Sequence, residues 1–293
     1  MSTPGLEVLE TGLLATVQDL GRPGLAGLGV GRSGAADVGS LRLANRLLGN
    51  DPGAAGIEVT FGGLALRART DTVVALTGAP CPADVDGGGV GANAPTRLPA
   101  GTVLRLGAPS RGLRTYVAVR GGLAVPAVLG SRATDVMSGI GPPVLAPGTV
   151  LPVGPAPDCW PNVDVAPVPP LPDGTLELRV HPGPRDDWFV PGALEALCSA
   201  PYDVTADSNR VGMRLQGPVL ERSRQEEMPS EGMVAGALQV PPTGQPTLFL
   251  SDHPVTGGYP VIGVVVGADL DLAAQVRPGQ QLRFRLGRRQ ELS

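Results

Sequence analysis

The amino-acid sequence predicts a mainly β protein built as two barrel-like halves with a few short helices. Three observations carry that reading. Glycine and proline are abundant, 43 and 32 of 293 residues, a level that without periodicity often accompanies disorder. Disorder is excluded because 42% of the residues are hydrophobic and only 17% are charged, so there is ample apolar surface to bury. The apolar residues fall in short runs between turn signals, the pattern of an all-β chain with many tight turns. A stretch carrying Pro155, Pro157, Pro161, Pro167, Pro169, Pro170 and Pro172 then divides the chain, and such a stretch holds itself extended and stiff. The predicted organisation is an N-terminal barrel-like domain over 1–154, a proline-rich linker over 155–172 and a C-terminal barrel over 173–293. Aromatics are only 3%, so Val, Leu and Ala must fill the core.

In chain order, the first helical signal is Asp37–Leu48, which places Leu41, Ala44, Leu47 and Leu48 on one stripe and is followed by Gly49 as a stop. Strand-like runs follow at Thr72–Thr77, Val103–Leu106 and Thr115–Val119 in the first half. The second half has Leu176–Val180, Thr247–Leu250, Tyr259–Val266 and Gln281–Leu286. Pro191–Leu197 and Asp269–Gln275 each predict about two helical turns. A turn followed by a strand recurs at Ala100-Gly101-Thr102, Pro147-Gly148-Thr149 and Pro278-Gly279-Gln280. Its irregular spacing argues for related barrel-like halves rather than a solenoid.

Composition excludes several functions. Net charge is −4 with no basic block, which argues against nucleic acid as a partner. All 23 basic residues are arginine. A lysine-free chain has no phosphate-loop lysine, no Schiff-base lysine and no lysine to carry biotin. Cys81, Cys159 and Cys198 are odd in number and far apart, fitting neither a disulfide framework nor a metal doublet. The first residues show no signal peptide, and the longest apolar run, around Val261–Val266, is too short to span a bilayer. A soluble, cytoplasmic protein is expected.

Gly29-Val30-Gly31-Arg32-Ser33-Gly34 matches the dinucleotide-binding glycine pattern, but that mechanism needs a buried strand feeding the loop, and turn residues occupy that ground. The only histidines, His181 and His253, are too few for a zinc site with these scattered cysteines. No serine sits in a nucleophile elbow. Arginines are the better candidates, because a planar guanidinium fork matches carboxylate or phosphate. Arg132 with Asp135, and Arg210 with Arg214, stand out, although structural ion pairing is the better reading of any single one of them. Asp37, Glu58 and Glu231 have acid–base chemistry available, yet any of them equally caps a helix or orders a loop. The turn Thr256-Gly257-Gly258-Tyr259 pairs two glycines, which let backbone amides approach a ligand, with a hydroxyl and a phenol to orient it. A tight hairpin or a contact with another protein chain is the alternative.

The block Gln239-Val240-Pro241-Pro242-Thr243-Gly244-Gln245-Pro246, followed by Ser251-Asp252-His253-Pro254-Val255-Thr256-Gly257-Gly258-Tyr259-Pro260, resembles the biotin-dependent carboxyltransferase-like family, also called the allophanate hydrolase subunit 2 family. Further matches are Thr16-Val17-Gln18-Asp19 with Gly21-Arg22, Ser33-Gly34-Ala35-Ala36-Asp37, Glu58-Val59-Thr60, Gly130-Ser131-Arg132-Ala133-Thr134-Asp135 and Ser208-Asn209-Arg210. The sequence departs from the family in Pro254-Val255, where the family has a Gln-Thr pair before the threonine, and in Asn209, where it has Asp. The resemblance implies cyclophilin-like barrels. It also implies a role in an ATP-dependent 5-oxoprolinase that opens 5-oxoproline to glutamate, with ATP used by the assembled complex. The implied partners are that enzyme's A subunit, together with a KipI-like B subunit. The sites implied are Asp37, Glu58 and Tyr259 for catalysis, and Arg132, Arg210, Thr256, Gly257 and Gly258 for binding an amide substrate. Two alternatives travel with the family: a urea carboxylase-type carboxyltransferase working with biotin, and a KipA-like regulator without catalysis.

Overall fold

A computed structural model describes residues 5–287. The chain divides into two compact units. One contains the residues up to Arg22 and Ser33–Leu171; the other contains Pro23–Arg32 and the chain from Pro172 onward.

The first unit opens with β1 (Gly5–Thr11) and β2 (Leu14–Gln18), then α1 (Val38–Leu47), β3 (Gly56–Thr60), β4 (Leu64–Ala68) and β5 (Thr72–Gly78). The short β6 (Ala83–Val85), β7 (Gly88–Gly89) and β8 (Pro95–Leu98) follow, then β9 (Val103–Leu106), β10 (Arg114–Val119) and β11 (Val150–Pro152). They form a six-stranded sheet, β11-β1-β4-β9-β6-β7, and a five-stranded sheet, β2-β3-β10-β5-β8. Leu6, Val8, Leu66 and Leu104 of the first sheet share one core with Val17, Ile57, Val74 and Val117 of the second. Strand β10 is buried on both faces: Val117 and Val119 face that core, whereas Ala118 meets Ala44, Leu47 and Leu48 of α1.

Helix α1 forms where its stripe predicts. Asp37 caps it, its carboxylate accepting from the Ser40 amide at 2.8 Å, which satisfies one of the orphan donors of the first turn. Leu41, Ala44 and Leu47 are its buried face.

The stretch expected as a linker packs onto the first unit. Arg120 donates to the carbonyls of Leu48, Pro157 and Cys159, and its guanidinium lies 3.7 Å from the Trp160 ring centroid. Ala166 donates to Asn93 at 2.9 Å. Extended proline-rich backbone has carbonyls that no ladder uses, and a fixed arginine collects them.

The second unit contains β12 (Leu176–Pro182), α2 (Ala193–Ser199), β13 (Tyr202–Val204), β14 (Gly212–Gln216), β15 (Glu231–Gly232), β16 (Ala237–Gln239), β17 (Thr247–Phe249), β18 (Thr256–Gly257), β19 (Val261–Val265), α3 (Leu270–Ala273) and β20 (Gln281–Leu286). Seven of these strands close a barrel, β12-β19-β16-β17-β14-β13-β20. Alternation decides which side each residue faces: Leu176, Leu178, Val180, Leu282 and Phe284 enter the core. Outside, Glu177 meets Arg285 at 2.8 Å. The barrel closes through the parallel pairing of β12 with β20.

Candidate functional site

In the first unit, Asp37 and Glu58 come together through one phenol. Tyr116 donates its hydroxyl to Glu58 at 2.7 Å and accepts from the Asp37 amide at 2.8 Å. Glu58 also accepts from the Ala36 amide at 2.9 Å and lies 3.4 Å from Arg114. Burial, then the charges of Glu58 and Asp37, push the Tyr116 phenol well above its usual range, so it stays a donor. Both carboxylates lie inside the protein. They hold the entry to α1 against β3 and β10, and acid–base work would require this network to open.

The segment after Gly130 forms a rail on which polar side chains are strung. Asp19 accepts from Ser131 Oγ at 2.6 Å and from the Arg132 amide at 2.6 Å. Arg132 is half-buried and spends its Nε on the Val125 carbonyl at 2.7 Å; its terminal nitrogens have no partner among the described residues. Arg22 donates to the Ala133 carbonyl at 2.5 Å. Gln18 and Ser33 both donate to the Thr134 carbonyl, at 2.9 and 3.2 Å. Gly141, at φ +96°, passes so close that a Cβ there would overlap the Ala133 carbonyl and stand 3.0 Å from Arg22 Nη2. Sequence reasoning assigns no role to Gln18, Arg22 or Thr134. An arginine between Gly21 and Pro23 reads as an exposed turn, and nothing local signals its burial.

In the second unit, Arg210 grips Asp252 with both arms, Nε to Oδ2 at 2.9 Å and Nη2 to Oδ1 at 3.0 Å, the pair being 1% and 0% exposed. Its fork is therefore occupied, and holding a substrate carboxylate would require Asp252 to let go. Asn209 accepts from the Val211 and Gly212 amides, a turn-forming task that Asn and Asp perform equally.

The Thr256–Tyr259 turn is built differently. Glu231 pairs with Gly257, and Gly232 with Thr256, in a two-strand ladder. Arg185 holds the Glu231 carboxylate from Nε at 2.9 and 3.1 Å and from Nη2, and that bond keeps the carboxyl below its usual range. A Cβ at Gly257 would run into the end of the Gln239 side chain and stand 3.2 Å from Met233, so Gln239 would have to shift. Gln239 in turn donates to the Tyr259 carbonyl at 3.2 Å. Gly258 has ordinary room for a side chain. Thr256 and the Tyr259 side chain are exposed.

The described chain is mainly β, with two sheets sharing a core in one unit and a closed seven-stranded barrel in the other. Among the described residues, no group of three His, Cys, Asp or Glu could hold a metal ion, and no helix is long and apolar enough to cross a membrane. The chain belongs to the carboxyltransferase domain, subdomain A and B, family, whose model matches residues 28–286. It is 38% identical to the 5-oxoprolinase C subunit of Escherichia coli K12 over 95% of this chain and 90% of the relative. It is 34% identical to the Haemophilus influenzae protein of the same name, with the same coverage. The urea amidolyase of Lachancea kluyveri is 34% identical over 95% of this chain, which spans 17% of that longer protein. Among solved structures, TTHA0988 superposes with a TM-score of 0.88 at 38% identity, 97% of this chain covering 56% of that one. The Kluyveromyces lactis urea amidolyase superposes with a TM-score of 0.90 at 30% identity, 97% of this chain covering 19% of it.

Proposed function

We propose that this chain is the C subunit of an ATP-dependent 5-oxoprolinase, opening 5-oxoproline to glutamate in the cytoplasm together with the enzyme's A and KipI-like B partners. The observation that carries the reading is the match to proteins named as 5-oxoprolinase C subunits, which runs along 90% of their own length. The urea amidolyases carry the matching region as a small part of a longer chain. Ring opening adds water across the lactam C–N bond while ATP is hydrolysed, and negative charge develops on the lactam oxygen. Fixed donors aimed at that oxygen are the economical way to stabilise it. Arg132, whose terminal nitrogens have no partner among the described residues, is assigned the substrate carboxylate. A lysine-free chain lacks a phosphate-loop lysine, which fits ATP being used by the assembled complex. The free Cys81, Cys159 and Cys198 suit a reducing compartment.

The test is glutamate release from 5-oxoproline and ATP by this chain purified with its A and B partners, with this chain omitted as the control. Activity that requires the chain is expected. In that complex, Arg132→Ala should raise KM for 5-oxoproline about tenfold or more, and Tyr259→Phe reports whether the exposed phenol takes part. A folded, complete complex without activity would sink the reading. The likeness to urea amidolyases favours one alternative, carboxyl transfer from biotin to urea. With no lysine in these 293 residues, biotin would have to be carried elsewhere, and streptavidin capture of this protein with a biotinylated partner would support it.

A further inference from the structure

Four buried side-chain atoms, Arg22 Nε, Arg22 Nη1, Gln18 Oε1 and Thr134 Oγ1, have no hydrogen-bond partner among the described residues. They belong to three residues fastened to one short rail, Arg22 on the Ala133 carbonyl and Gln18 on the Thr134 carbonyl. The side chains are all but sealed from solvent: Gln18 is 0%, Arg22 2% and Thr134 3% exposed. Arg22 makes no ion pair among the described residues. Among those residues its side chain makes a single hydrogen bond, to the neutral Ala133 carbonyl.

Such an arrangement is costly. An unpaired buried cation and orphaned buried polar atoms are each rare in native proteins and call for an explanation, a ligand that supplies the missing partner being one. The chemistry of the orphans specifies that partner. Arg22 offers N–H donors and positive charge, so it wants an oxygen that is or becomes negative. Gln18 Oε1 can only accept, so it wants an N–H. Thr134 Oγ1 can do either. A small group presenting a carbonyl oxygen beside an N–H satisfies all three. Val17, the chain neighbour of Gln18, and Gly141, beside Arg22 Nη2, line an apolar cavity of about 310 Å³ together with Val125, Pro142, Val144 and Leu151. Gly141 is the same residue whose missing side chain leaves room for the Arg22 guanidinium.

We propose that Gln18, Arg22 and Thr134 form the receptor for the N–C=O group of the substrate within the first unit. Gln18 Oε1 accepts from the substrate N–H, Arg22 donates to its carbonyl oxygen, and the apolar cavity takes the ring methylenes. The assignment rests on the reading of the chain as part of an enzyme that opens a lactam, and it adds the residues that recognise the lactam. Arg22 thereby has a catalytic role, because its donors meet more charge as the carbonyl oxygen becomes an oxyanion.

The decisive variant is Thr134→Val, which keeps the shape and the backbone bonds and removes only the orphan hydroxyl. A structural hydroxyl would be missed, whereas an orphan one would not. The complex carrying Thr134→Val should melt at or above the wild-type temperature while its kcat/KM for 5-oxoproline falls about tenfold. Arg22→Met should lower kcat roughly a hundredfold or more, with the complex still assembled. Wild-type activity that survives both substitutions would overturn the receptor and leave the proposed function standing. If the wild-type complex is inactive on 5-oxoproline, calorimetric titration with urea decides the matter. Urea binding that Thr134→Val and Arg22→Met both weaken supports the receptor for another N–C=O substrate. Urea binding they leave intact, or none at all, overturns it.

Discussion

Arg132 and Arg210 carry the same chemistry and differ only in what already holds them. Arg210 and Asp252 form a buried, two-armed pair, and removing one partner of such a pair leaves an uncompensated charge in the interior. Arg210→Ala or Asp252→Ala should therefore each cost about 3–5 kcal/mol, whereas replacing both with apolar residues of similar volume is often neutral or better. Chemical denaturation of the singles and of Arg210→Met with Asp252→Leu checks this. The double variant is expected to recover stability and to keep activity in the complex; a stable but inactive double variant would return Arg210 to the substrate. The sequence could not separate the two arginines, because Asp252 lies 42 residues beyond Arg210. Arg22 shows no role in the sequence for the same reason: its anchor at Ala133 is 111 residues away. The glycine pair of the Thr256–Tyr259 turn stands out in the sequence. That Gly257 is crowded by Gln239 and Met233 while Gly258 has ordinary room is not something local sequence reveals.

At the scale of elements, Asp37 is the test of how much a helix start explains. Its carboxylate caps α1 from both oxygens, through the Ser40 amide and the Ser40 hydroxyl. Loss of an N-cap costs about 1 kcal/mol, and serine is among the residues that cap well. Asp37→Ala should lower the stability of the chain by about that amount; Asp37→Ser should recover most of it and leave glutamate release intact. A stable Asp37→Ser complex without activity would instead give this carboxylate a catalytic task. The stripe of α1 was readable because Leu41, Ala44 and Leu47 keep the helical period against one continuous face. Strands β5, β10, β12 and β20 were readable because they are apolar runs or clean alternations. Strand β1 was not, since the register shift between Val8 and Glu10 breaks the alternation that betrays a strand. Strand β3 was hidden by the buried Glu58 at its centre, whose charge is met by Arg114, Tyr116 and Ala36 from elsewhere in the chain. Strands β6 and β7 are too short and glycine-rich to stand out from turns.

Over the whole molecule, each unit has a large apolar cluster of its own. One uses residues from Leu6 to Leu151, and the other uses residues from Leu176 to Phe284. Within the second, the barrel depends on its last strand: β20 pairs in parallel with β12 and antiparallel with β13, so it closes the ring. Phe284 is 1% exposed on that strand, its ring 5.8 Å from Tyr202. Deleting a buried phenylalanine removes its transfer free energy and leaves a cavity, for a total of about 3–5 kcal/mol. Because the two clusters have no residue in common, Phe284→Ala should weaken the barrel selectively. Hydrogen exchange followed segment by segment should show faster exchange in β12, β14, β17 and β20, with β3, β5 and β10 as protected as in the wild type. Equal loss in both sets would mean that the chain opens as one cooperative body despite its separate cores. A selective loss would also give a clean way to perturb the Thr256–Tyr259 turn through its own barrel while the Gln18–Arg22–Thr134 cluster stays intact.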